Sequence, residues 1–64
     1  MDLQHDWRVL VGKRVEIRRF ERVVRTGIVD SVMLDGSILW VAAGAEGGRQ
    51  LVERAEDYQV WSRY

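Results

Sequence analysis

The sequence predicts a small all-β domain: five short strands curled into a barrel and capped by a short N-terminal helix. Three observations carry this. Apolar residues alternate with charged ones from Lys13, the period of a half-buried strand. Asp35-Gly36 stands between two β-prone runs, a hairpin signal. Gly27 sits inside a long β-prone segment, where glycine marks a bulge or sharp bend.

The elements follow in chain order. Asp2 is a good helix N-cap, and Leu3, Trp7 and Leu10 form one apolar stripe at i, i+4 and i+7. Gly12 follows, where a left-handed C-terminal residue is wanted. The helix is therefore expected over about 2–10 and the barrel over about 13–62, in a single domain spanning 1–64. A helix this short is unstable alone and must dock its apolar stripe on the rest of the chain. Val15 and Ile17 face one side of the first strand; Arg14, Glu16 and Arg18 face the other. Phe20 and Glu21 form a loop. A long second segment, Val23 to Leu34, bends at Gly27 and can serve two halves of a barrel. A two-residue type I′ turn at Asp35-Gly36 would join Val29–Leu34 to Ser37–Ala42. Gly44 to Gly48 forms a flexible loop, Arg49 to Glu53 a strand, Ala55 to Asp57 a turn and Tyr58 to Trp61 the last strand. Closing five antiparallel strands on themselves removes exposed edge, and gives a chain of 64 residues without cysteine a way to stay folded.

Two stretches carry a resemblance. Gly27-Ile28-Val29-Asp30-Ser31-Val32 is similar to the bent second strand of the KOW and Tudor type of SH3-like barrel. Leu10 to Ile17 resembles the entry to Sm-like proteins, where an N-terminal helix leads into the first strand of the same barrel. The resemblance covers about residues 2–42 and implies an SH3-like fold. It transfers no binding residue. Sm-like proteins place an Asp and then Met-Asn in the base-binding loop, whereas this chain has Met33-Leu34-Asp35-Gly36-Ser37. Their Ile/Val-Arg-Gly signature is replaced by Leu51-Val52-Glu53-Arg54.

Composition narrows the chemistry. Without cysteine there is no thiol nucleophile and no zinc-finger ligand set. His5 is the one histidine and is expected exposed on the helix, so no catalytic residue, metal ligand or cofactor site is assigned. Gly44 to Gly48 lacks the Gly-Lys-Ser/Thr ending of a phosphate loop. No small-molecule substrate is implied. Met1 to Asp6 is polar and acidic rather than a secretory leader, and the longest apolar run, Ile38 to Ala43, is too short to span a bilayer. A cytoplasmic location without membrane attachment is the default expectation.

Net charge is zero, but it is unevenly spread: residues 8–26 hold seven cations against Glu16 and Glu21. Two binding roles follow. The first is a protein partner, including self-association into a homo-oligomer. In Ile38-Leu39-Trp40-Val41 both faces are apolar, and a strand apolar on both sides has something packed on each, here either the N-terminal helix or another protein chain. Leu39, Val41, Trp61 and Tyr64 are the contact residues this reading selects. The second is nucleic acid, with Arg18, Arg19, Phe20, Arg22 and Arg25 around the first strand connection offering phosphate-pairing forks and a ring to stack on a base.

Overall fold

A computed structural model describes residues 1–63, so the contact assigned to Tyr64 lies outside the described residues. The chain is all-β. Its strands are β1 (Asp2–Leu3), β2 (Arg14–Arg19), β3 (Arg22–Val32), β4 (Ile38–Val41), β5 (Gln50–Glu53) and β6 (Tyr58–Ser62). They form one antiparallel sheet of six strands in the order β1-β6-β2-β3-β4-β5.

This corrects the expected five-stranded closed barrel in number and in closure. β1 and β5 stand at the two ends of the order and are not paired to each other, so the sheet is open. It is nevertheless strongly curled. Val15, Ile17, Val29, Leu39, Val41, Val52 and Val60, from five different strands, meet in one buried cluster. The extents are 27 × 23 × 22 Å, whereas one flat sheet layer is only about 10 Å thick.

The N-terminal helix over 2–10 is also corrected. Asp2 and Leu3 pair with Ser62 and Trp61 as a sixth strand, and Trp7–Leu10 is a single 3-10 turn. Asp6, not Asp2, caps that turn, its carboxylate accepting from the Arg8 N–H at 3.1 Å. The i, i+4, i+7 stripe was compatible with a helix, but two turns gain too little to nucleate one. The 3-10 turn puts Trp7 and Leu10 three residues apart on one side, and both are buried in the core cluster. Gly12 does take a left-handed φ of 82°, and its N–H donates to the Val29 carbonyl.

β3 serves two hairpins, as its length around Gly27 predicts. Arg22 to Ile28 pairs with β2, and Val29 to Val32 pairs with β4. Gly27 lies next to the point where β3 passes from one partner to the other. A Cβ there would stand 2.6 Å from Val41 Cγ1, so no larger residue fits without moving the core.

The turns exchange roles relative to expectation. At Asp35-Gly36 only Gly36 has positive φ, 74°, so this is not a type I′ turn. The loop runs over four residues, 34–37, closed by Met33 N–H donating to the Ile38 carbonyl. Asp35 accepts from the Ser37 N–H and hydroxyl, a local bond that competes with the tight turn. The two-residue connection with positive φ at both positions is instead Phe20-Glu21, at 51° and 65°, between the paired Arg19 and Arg22.

Candidate functional site

The basic residues separate into two groups. Arg18, Arg19, Phe20 and Arg22 converge at the β2–β3 tip, and Phe20 is 70% exposed. The tip is partly neutralised by its own chain. Arg18 pairs with Glu16 and lies over the Trp61 ring, 4.2 Å from its centroid. Arg19 lies over Tyr58 at 4.7 Å, donates to the Glu56 carbonyl at 2.9 Å and approaches the Glu56 carboxylate at 3.6 Å. The assignment of Arg25 to this surface is corrected. Its side chain is buried, with Nη1 donating to the Gly48 carbonyl at 2.7 Å and Nη2 to the Ala42 carbonyl at 3.2 Å. β2 and β3 change register after Ile17↔Arg25: the next pair is Arg18↔Val23, and Val24 is the extra residue. That bulge turns Val23 and Val24 to solvent and leaves Arg25 on the inner face. Arg25 therefore ties the loop after β4 to β3. Replacing it with Met should cost about 1–3 kcal/mol, because two part-buried hydrogen bonds from a charged donor are lost; urea unfolding measures this.

The same loop carries a carboxylate clasp. Glu46 accepts from the Thr26 N–H at 3.0 Å and from the Thr26 hydroxyl, over a cleft of about 140 Å³ lined by Arg25, Gly27, Ala42 and Gly44. These bonds hold the Glu46 carboxyl below its ordinary value of 4.5, the hydroxyl bond contributing most. The clasp stabilises the fold fully above 4.5 and is lost as pH falls through the lower folded value. An NMR titration of the Thr26 amide should therefore report a midpoint below 4.5; a midpoint at or above it would show that the clasp does not hold the loop.

The protein-contact residues are corrected in part. Leu39 and Val41 are 0% exposed and face the core, so they offer no surface to a partner. Trp61 is half-buried: Arg18 covers one face of its ring, and its Nε1 donates to Gln59 at 3.1 Å. With Leu39 and Val41 inward, Ile38 and Trp40 face outward, and each is half-buried. Across from them on β5 stand Glu53 and Leu51, in the pairs Ile38↔Glu53 and Trp40↔Leu51. Leu51 is 42% exposed. Arg49 lies over the Trp40 ring at 5.3 Å, held by Asp30 at 2.7 Å and by the Ser31 hydroxyl at 3.3 Å.

This outer face ends in an open edge whose hydrogen-bonding direction can be deduced. The Arg54 N–H donates to the Ser37 carbonyl at 2.9 Å, extending the β4–β5 register by one pair. Hydrogen-bonded pairs alternate along an antiparallel ladder. Val52 and Gln50 therefore bond to β4, and the N–H and C=O groups of Leu51 and Glu53 point away from it, along the unpaired side of β5. Sequence reading missed this edge. Its signal was the i, i+2, i+4 spacing of Arg49, Leu51 and Glu53, the spacing of one face of a strand.

Among the described residues no group of three or more His, Asp or Glu side chains could hold a metal ion, and no helix is long and apolar enough to cross a membrane. The fold and this surface define a class: a single open, curled antiparallel sheet with an exposed edge beside an aromatic outer face. Comparison with family models, curated proteins and solved structures gives no match to the chain.

Proposed function

We propose that the chain is a non-catalytic protein-binding module that takes an extended segment, from another protein or a second copy of itself, along the open edge of β5. The carrying observation is the outward backbone row of Leu51 and Glu53, bordered by the half-buried Trp40 and the exposed Leu51. Such an edge is a template for strand addition, with main-chain bonds giving affinity and alternate side chains giving specificity. The long β3 shared by two hairpins supports a relation to the SH3-like superfamily. Titrating a panel of extended peptides into isotope-labelled chain tests the reading. Amide shift changes should centre on Leu51 and Glu53; a panel that leaves both unmoved removes it.

A second reading has one observation in its favour. The Phe20-Glu21 turn projects a largely exposed ring among Arg18, Arg19 and Arg22, a stacking platform with cations beside it. A nucleic-acid module built on it would bind more weakly as salt rises, through counterion release. Gel shifts at low salt with single-stranded and duplex probes test this, and no shift with any probe removes it. Zero net charge and the Glu16 and Glu56 pairings favour the protein reading.

A further inference from the structure

We infer that the occupant of the β5 edge is a second copy of the same edge, paired antiparallel about a two-fold axis through Leu51. The inference rests on the strand-addition reading and names its partner. Antiparallel self-pairing must match outer-face residues with outer-face residues, so Arg49, Leu51 and Glu53 pair only among themselves. Leu51 and Glu53 are also the β5 positions whose backbone groups point off the edge, and Arg49 immediately precedes the strand. Of the registers this permits, the one centred on Leu51 sets Leu51 against Leu51 and Arg49 against Glu53 of the other copy, twice by symmetry. Shifting the centre by one residue to Val52 sets Leu51 against Glu53 instead, opposing an apolar side chain to a carboxylate.

Three features of the single chain prepare this register. Asp30 and Ser31 hold the Arg49 guanidinium on the outer face at one end of the edge. A guanidinium carries five donors, so it has capacity for a second carboxylate. Leu51, exposed beside Trp40, supplies an apolar centre between the two charged ends. A two-fold contact needs one patch to be complementary to itself, and Arg49-Gln50-Leu51-Val52-Glu53 has this property in antiparallel register. The edge is short, so the contact falls in the small, transient class of interfaces, and dimer should form between micromolar and millimolar concentration.

The test combines sedimentation equilibrium with amide hydrogen exchange. In the unmodified chain, protection of the Leu51 and Glu53 amides should rise with concentration, while Gln50 and Val52 are protected already in the monomer. Glu53→Arg places like charges opposite each other at both ends and should weaken the dimer by about tenfold. The double variant R49E/E53R restores opposite charges and should recover most of that loss. Circular dichroism checks that each variant folds. A dimer that Glu53→Arg leaves intact overturns this register while leaving self-association standing. A chain that stays monomeric at millimolar concentration, with Leu51 and Glu53 unprotected, overturns the inference; the peptide titration then decides separately whether the edge binds strands at all.

Discussion

Trp7→Ala should abolish the folded state or leave it at the margin of stability. Trp7 is 1% exposed and packs with Leu10 into the cluster formed by the strands. It fills a place the open sheet leaves uncovered: five strands supply the valine, isoleucine and leucine side chains of the core, and the 3-10 turn lays an indole across them. Arg54 lies over the ring, 4.1 Å from its centroid. The same guanidinium donates to the His5 carbonyl at 2.8 Å and to the Gly36 carbonyl at 3.2 Å. The N-terminal segment, the β3–β4 loop and the start of the second 3-10 turn thus meet at one residue pair. Truncating a buried tryptophan costs about 3–5 kcal/mol. A domain of this length has a total stability of about 3–10 kcal/mol at typical values per residue. Urea unfolding followed by far-ultraviolet circular dichroism should show the midpoint collapsing toward zero denaturant, with Trp7→Phe intermediate. Stability close to the unmodified chain would mean that the core closes without the N-terminal segment.

What the sequence revealed and what it hid divide along physical lines. The Val15/Ile17 alternation places β2, because a half-buried strand has a period of two and this one is unbroken. Gly27 marks the point where the backbone crosses Val41 too closely for a Cβ. The short N-terminal strand was invisible, since two residues have no period, and Leu3 fitted a helical stripe equally well. Openness was invisible for another reason: closure depends on whether β1 and β5 meet, a long-range matter on which local patterns are silent. The face of β4 could not be read because Ile38, Leu39, Trp40 and Val41 are all apolar. The structure decides it by pairing Leu39 with Val52 and Val41 with Val29, all core residues, leaving the large indole of Trp40 outside. Arg25 misled because charged strand residues ordinarily face water. Here a one-residue bulge and three polar partners, the loop carbonyls of Ala42 and Gly48 and the side chain of Gln50 on β5, accommodate it within.

Leu39→Ala should separate the two faces of β4 in one comparison with Trp40→Ala. Leu39 has no exposed surface and sits on a strand flanked on both sides, opposite Val32 on β3 and Val52 on β5. Its truncation removes buried methyl groups from the middle of the core and costs about 2–5 kcal/mol, second only to Trp7. Because no part of it reaches the surface, the fraction of Leu39→Ala that remains folded should self-associate and bind peptides as the unmodified chain does. Trp40 is half-buried on the outer face, where truncation exposes Leu51 and loosens Arg49 without opening a cavity in the core. Trp40→Ala should therefore unfold at a urea midpoint near that of the unmodified chain while its dimer and peptide affinities fall. Urea midpoints and sedimentation on both variants provide the check. Lost association with intact stability in Leu39→Ala would restore the inner residues as contacts and reverse the assignment of the faces. The opposite outcome, stability lost from the inner face and association lost from the outer, is what a sheet curled tightly around its core requires when its free edge and outer wall are left to meet a partner.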